Sequence, residues 1–354
     1  MNRKSWVRWL NSFSDNRKSK SGPADKNRKW LGLSVIVFVL VVAGAGAEAQ
    51  QPTKDPRIGY LTGASLSANS ARHEAFRQGL RELGYVEGKN IVIDWRSAEG
   101  KPDRLPALAA DLVRLKVDII VTGGSSPTRA AKEATTTIPI VMAQDGDPVG
   151  NRFVGSLARP GGNITGLSAL APELGGKRLE LLKEIVPKLS RVAVLGTSMN
   201  PGNAQELREV DLAAKAFGVK LQYLDVLSPN DIETAFRAAT KGRAEAVLII
   251  VAGAVASGRR TEIVELAVKN RLPAIYGNSL FVDAGGLITY SASITDLDRR
   301  AATYVDKILK GRKPADLPVE QPMKFEFIIN LKAAKQIGLT IPPNVLSRAD
   351  KVIK

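Results

Sequence analysis

The sequence predicts an α/β protein built from two similar lobes, each a doubly wound parallel sheet, joined by a multi-strand hinge. Three observations carry that prediction. Short runs rich in Ile and Val alternate with amphipathic helical stretches from Arg57 onward, the pattern of βαβ units around a buried parallel sheet. The series then restarts in the same order about 124 to 134 residues later. Finally, about 305 residues beyond the N-terminal leader exceed what a single core comfortably serves, so two lobes are the natural division.

The first series opens with "RIGYL" and the helix-like "NSARHEAFRQGLRELG", where Ala75, Phe76, Leu80 and Leu83 stand near helical spacing. "NIVIDWR", the helix "DRLPALAADLVRLK", the strand "VDIIVTG", the helix "PTRAAKEATT" and the strand "IPIVMAQ" follow. In the second series "RVAVLGTS" answers "RIGYLTGAS", "VKLQYLDV" answers "NIVIDWR", "AEAVLIIVAG" answers "VDIIVTGG", and "LPAIYGN" answers "IPIVMAQ". The phrase "GGNIT" at residue 161 returns as "GGLIT" at residue 285. Both fall after the fourth strand of a series, where the chain can leave one lobe for the other. Glycines there would free the backbone, and the Thr and Ser that follow would form an extended strand across the hinge.

A helix, "TDLDRRAATYVDKILKG", comes next, with Leu297, Ala301, Tyr304, Val305 and Ile308 on one apolar stripe. The Pro-punctuated tail adds a strand, "KFEFIIN", and a helix, "LKAAKQIG"; it belongs to neither repeat and is expected to stitch the lobes together. The boundaries that follow are 57–165 with 291–320 for one lobe and 166–290 with 321–354 for the other. Crossovers fall near residues 165, 290 and 320.

Residues 1–49 stand apart. About nine Lys and Arg against two acids precede the apolar run "WLGLSVIVFVLVVAGAGA", and small residues follow it. That order is the pattern of a secretory signal peptide with a basic leader, cleaved after Ala47 or Ala49; an uncleaved anchor is the alternative, because the run just spans a bilayer. The chain has no cysteine, which excludes a lipid-anchored lipoprotein and any disulfide. The formal charge of +16 falls to roughly +10 without the leader and is scattered along helices. No dense basic tract is left to suggest nucleic acid.

The stretches "SLARPGGNITGLS", "GKRLELLKEIVP", "AGGLITYS", "RRAATYVDKILKGRKPADLPVEQP", "KFEFIINLKAAKQIGLTIPPNVLSRADKVI" and "GDPVG" resemble the ABC-transporter substrate-binding proteins of the tryptophan-binding-protein-like family. The resemblance spans nearly all of residues 57–354. It implies a type I periplasmic binding protein fold, capture of a small molecule between the lobes in the periplasm, and delivery to a membrane permease powered by a cytoplasmic ATPase. It also implies an amino acid or related carboxylate as ligand, possible aromatic character included. Gly277, Asn278 and Ser279 stand here where the family commonly carries a Trp-Arg-Glu-like stretch.

Ligands of open parallel sheets sit beyond the carboxyl ends of the strands. The loop "TGGSSPTRA" is the sharpest candidate: Gly124 ends a strand, Ser125 or Ser126 caps, Pro127 suits the first helical turn, and Thr128 follows. Free N–H groups at such a helix start favour an anion, although a capped helix without ligand fits the same residues. Ser65, Ser67 and Asn69 offer hydrogen-bonding groups after the first strand. Asp145 and Asp147 offer a partner for an ammonium, or simply form a turn. From the second lobe come Thr197 and Asn203, with Tyr276 and Phe281 as an aromatic wall or as core.

The only histidine, His73, is expected at the surface, and no cysteine nucleophile or His-rich metal set exists. The chain therefore reads as a binding protein without cofactor or catalytic residues, acting as a monomer. A ligand sensor for a membrane receptor is the alternative that uses the same fold; a two-lobed enzyme is the third.

Overall fold

The computed structural model describes residues 55–250 and 258–354; the predicted leader and its cleavage site lie outside them. Five strands form the first sheet: β1 (Arg57–Thr62), β2 (Val92–Ser97), β3 (Ile119–Gly123), β4 (Ile140–Asp145) and β5 (Ile164–Ser168), in the order β2-β1-β3-β4-β5. All its pairings are parallel; Ile58, for example, lies between Ile93 and Ile119. The second sheet repeats the arrangement with β6 (Arg191–Gly196), β7 (Lys220–Asp225), β8 (Ala246–Ile249), β9 (Ala274–Tyr276) and β10 (Ile288–Ala292) in the order β7-β6-β8-β9-β10. Val192 sits between Leu221 and Ala246, just as Ile58 sits between its neighbours.

Each strand run is apolar because both faces of its sheet are covered. On the first sheet, Ile58, Tyr60, Ile119 and Val121 pack beneath α1 (Ser70–Glu82). Its opposite face, with Leu61, Ile120 and Met142, meets α2 (Leu105–Arg114) and α3 (Ser125–Ala134). The second sheet lies between α4 (Ala171–Ile185) with α5 (Pro201–Phe217) on one side and α6 (Asp231–Lys241) with α7 (Arg260–Lys269) on the other. Fully buried leucines such as Leu112 and Leu179 each contribute about 2 kcal/mol of transfer free energy.

The recurring glycine phrase has a local cause. Gly161 and Gly285 hold φ at +80° and +99°, a region that L side chains avoid, in the turns that admit β5 and β10. The Thr of each phrase then anchors its strand: Thr165 Oγ1 donates to the Leu317 carbonyl at 2.6 Å, and Thr289 Oγ1 to the Tyr276 carbonyl at 2.9 Å.

After β10, helix α9 (Ile294–Leu309, following the short α8, Leu280–Asp283) returns to the first lobe. It buries Leu297, Ala301 and Val305 in the core that contains Phe76 and Leu80. The chain then runs beside β5, where Ser168 donates to the Glu320 carbonyl at 2.9 Å and Glu320 to that of Gly166 at 3.0 Å. It re-enters the second sheet as β11 (Phe325–Asn330), antiparallel to β10. The tail completes that sheet with α10 (Leu331–Gln336), α11 (Pro343–Leu346) and edge strand β12 (Lys351–Ile353). Asn330 caps α10, accepting from Lys332 and Ala333 N–H groups. Among the described residues no helix is long and apolar enough to cross a membrane.

Candidate functional site

The carboxyl ends of the two sheets face a common cavity of about 140 Å³. Thr62, Gly123 and Gln144 line it from the ends of β1, β3 and β4; Ile249, Gly277 and Asn278 line it from the ends of β8 and β9. This is where an open parallel sheet holds its ligand, here with a sheet on each side.

The first lobe supplies a helix start and an arginine. Gly124 is the N-cap of α3, at φ +120° and ψ 174°, and no side chain caps the helix. The sequence expectation that Ser125 or Ser126 caps is therefore corrected: both stand inside the first turn, beyond a glycine that alone tolerates that φ. Pro127, also in that turn, has no N–H to offer. Thr128 points away from the cavity, its hydroxyl lying 2.8 Å from both the Gly124 carbonyl and Thr122 Oγ1.

Arg72, on α1, is buried. Its Nε donates to Asp298 Oδ2 at 2.7 Å, and Tyr60 donates to Asp298 Oδ1 at 2.7 Å. One terminal guanidinium nitrogen of Arg72, Nη2, is buried without a hydrogen-bond partner, and a Cβ placed on the cavity-lining Gly123 would sit 3.5 Å from it. An unpaired buried donor of this kind costs stability unless something occupies its free valence.

Asn69 also lines the cavity; its Nδ2 donates to Thr62 Oγ1 at 3.3 Å and its Oδ1 has no protein partner. Ser125 lines it too. Ser126 is half-buried in the same turn and outside the wall. Ser65 and Ser67 face each other at 3.3 Å in a local turn, away from the lining. Asp145 lies fully buried behind it, accepting from Asn151 Nδ2 at 2.9 Å and from the Asp147 N–H at 3.0 Å. Burial pushes its pKa above the ordinary carboxylate value. Asp147 closes a turn by accepting the Gly150 N–H at 2.8 Å.

The second lobe presents a buried ion pair. Arg178 (α4) meets Glu206 (α5) at 2.6 Å and donates through Nε to the Tyr290 carbonyl at 2.9 Å. Burial outweighs the attraction of Arg178 and raises the Glu206 pKa to about 7. A Cβ on Gly277 would stand 3.8 Å from the Arg178 guanidinium, so the small residue there leaves that cation facing the cavity. Arg260, at the start of α7, completes the charged lining. Asn203 ties loops instead of facing the cavity: its Oδ1 accepts from the Thr197 N–H at 3.0 Å and its Nδ2 donates to the Ile250 carbonyl at 2.8 Å. Tyr276 stacks on Phe281 with centroids 4.8 Å apart. Both belong to the core of the second lobe, and only Phe281 reaches the cavity wall.

His73 is a correction. It is 4% exposed rather than at the surface, because its ring packs between Tyr60 and Trp95 at 5.3 and 4.8 Å. Of the predicted site residues the structure brings Asn69, Gly124, Ser125 and Phe281 to one wall. Sequence reasoning missed Arg72, Arg178, Glu206 and Arg260. Their one available signal was helical position next to a post-strand loop. Among the described residues no cluster of side chains is suited to a metal.

The profile of a family described as ABC transporter substrate binding protein matches residues 63–353. A tyrosine-binding protein of Clostridioides difficile (strain R20291) is 25% identical over 314 residues, covering 87% of this chain and 90% of the relative. Among solved structures, an ABC domain from Streptococcus pneumonia in complex with L-Trp superposes with a TM-score of 0.78 at 27% identity, over 85% of this chain and 100% of the other. A conserved domain protein from Vibrio cholerae gives 0.78 at 28% identity, over 84% and 100%. A myo-inositol-bound solute-binding protein from Bacillus halodurans, at 11% identity and a TM-score of 0.54, shares the fold. With two parallel-sheet lobes of the type I periplasmic binding protein class and a polar cavity between them, the chain belongs to the ABC transporter substrate-binding protein family.

Proposed function

We propose that the chain is the periplasmic solute-binding component of an ABC importer, acting as a monomer and capturing an amino acid, aromatic in side chain, by closure of two lobes. The lobes are residues 57–165 with 291–320 and 166–290 with 321–354. The observation that carries the reading is the buried, unpartnered guanidinium nitrogen of Arg72 in the same wall as the uncapped start of α3. Both favour a carboxylate: the arginine offers charge-assisted hydrogen bonds, and the helix start adds N–H groups and a favourable dipole. Relatives that bind tyrosine and tryptophan support an aromatic amino acid. The stacked Tyr276–Phe281 pair, with Phe281 at the wall, supplies an apolar face. Ligand binding favours the closed lobes only as far as it is tighter to that state, and a permease then receives the closed form.

A thermal-shift screen tests the proposal. The full chain, unfolded and refolded to strip bound molecules, is heated with amino acids, other carboxylates, sugars and nucleosides. A ligand at about a hundred times its dissociation constant adds about 2.7 kcal/mol and raises the melting temperature clearly. A selective rise with L-tryptophan or L-tyrosine supports the reading; a rise with sugars or nucleosides alone refutes it.

A further inference from the structure

We propose that the anionic group of the ligand sits between Arg72 of the first lobe and Arg260 of the second, so that one anion bridges the cleft and draws the lobes together. The inference deepens the function proposed above and rests on it. Both arginines line the same cavity, from opposite lobes. Arg72 is 7% exposed, and only part of its guanidinium is satisfied by Asp298. Arg260 differs from its neighbour Arg259, which pairs with Glu262. Among the described residues Arg260 has no ion-pair partner; its charged surroundings are the exposed Asp283 and Arg72 itself. Residues 251–257, which precede it, include no acidic side chain.

The charges of the wall do not balance without a ligand. Arg178 pairs with Glu206 and Arg72 with Asp298, whereas Arg260 has only the exposed Asp283 in its surroundings, forms no ion pair among the described residues, and lines the cavity with another guanidinium opposite. Two cations meeting in a partly dry cleft repel, and the repulsion grows as water leaves. An anion between them reverses the sign of both interactions. It accepts from the free nitrogen of Arg72 on one side and from Arg260 on the other, with the N–H groups of α3 behind it. Closure is then coupled to the presence of the carboxylate rather than to the side chain, which selects within the class. A ligand whose carboxylate is replaced by a neutral amide fills the same volume but leaves the two guanidiniums opposed.

Calorimetric titration of the full-chain protein, wild type and the Arg260→Gln and Arg260→Lys variants, tests this with L-tryptophan, L-tyrosine, L-tryptophanamide and indole-3-propionate. Melting temperatures without ligand check that the variants fold. The wild type is expected to bind carboxylates at least about 30-fold tighter than the amide, in line with charge-assisted bonds. Arg260→Gln should reduce that preference to a few-fold, while Arg260→Lys keeps most of it. Small-angle scattering should show the radius of gyration falling with the carboxylate in the wild type and not in Arg260→Gln. If acid and amide bind the wild type alike, or Arg260→Gln discriminates as well as the wild type, the bridge is overturned while amino-acid capture stands. If the amino acids fail but indole-3-propionate binds in an Arg260-dependent way, the bridge stands and the amino-acid reading falls. No binding by any member of a panel of aliphatic, aromatic and dicarboxylic acids overturns the bridge as well.

Discussion

The backbone N–H of Gly202 donates to the side-chain oxygen of Asn151 at 2.9 Å, tying the first turn of α5 in one lobe to the loop after β4 in the other. Asn151 is itself held from behind, its amide donating to Asp145 Oδ1 at 2.9 Å and to Ser125 Oγ at 3.3 Å. One buried side chain thus links the cavity-lining Ser125 to a contact between lobes. Across the cleft, a Cβ on Gly258 would lie 3.0 Å from the Gly100 Cα, so backbone meets backbone there as well.

This arrangement predicts that Gly202→Ala weakens ligand binding without touching the ligand. The new Cβ would stand 3.0 Å from Asn151 Oδ1 and 3.1 Å from the Asp147 Cβ, so the contact has to open. Affinity for the natural ligand is expected to fall roughly fivefold, from a closure penalty of about 1 kcal/mol. The ligand-free melting temperature should change little. Calorimetry beside a thermal melt separates the two, and unaltered affinity would show that the contact plays no part in closure.

The Asp298 carboxylate is expected to be structural as well as positional. It is fully buried and accepts from both Arg72 and Tyr60. Asp298→Ala leaves a buried guanidinium without a counter-charge, a change that typically costs about 3–5 kcal/mol. Tyr60→Phe removes one hydrogen bond and should cost about 1 kcal/mol. Urea unfolding of the two variants checks the ordering; equal losses would contradict it.

Burial, with Arg72 and Arg77 nearby, lowers the His73 pKa from 6.5 to about 4, against a smaller opposing pull from Asp298. The unfolded chain therefore binds a proton that the folded one refuses between those values, so stability is lost as the pH falls through that window. The loss is on the order of 3 kcal/mol by pH 4. His73→Gln should flatten this limb of the stability curve. An identical slope in the variant would mean that other groups control acid unfolding.

Glu206 acts in the opposite direction. Its pKa is raised from 4.5 to about 7 by burial, so the folded state holds the extra proton. Its contribution to stability is complete below the unfolded value and declines as the pH rises to about 7. Denaturant midpoints measured between pH 4.5 and 7.5 should show less decline in Glu206→Gln than in the wild type.

The strands and their repetition were legible because a parallel sheet covered on both faces demands continuous apolar runs, and the order of those runs survives in "RIGYL" and "RVAVLG" alike. The loop after β3 was legible for a similar reason: Gly124 and Ser125 must end a strand and begin a helix. The arginines were not. Arg72 reads as an ordinary base on an amphipathic helix until α9, more than two hundred residues later, brings Asp298 against it. Arg178 and Glu206 meet only because α4 packs on α5. His73 was misplaced for a more local reason: its charged sequence neighbours suggest water, whereas the packing of its helix onto the two flanking strands sets it between Tyr60 of β1 and Trp95 of β2. Asn203 and Thr128 have the residue types of ligand contacts, yet their polar atoms are consumed by backbone groups nearby.

The most direct measurement compares the wild type with Arg72→Lys, titrated with L-tryptophan and with L-tyrosine by calorimetry. Lysine keeps a cation opposite Asp298 but lacks the second nitrogen of the guanidinium fork. One-to-one binding of at least one of the two amino acids to the wild type is expected. Affinity in Arg72→Lys should then be at least about tenfold weaker, with the ligand-free melting temperature nearly unchanged. Equal affinity in wild type and variant, or no amino-acid binding to the wild type, would contradict the claim that the cleft captures an amino acid through its carboxylate.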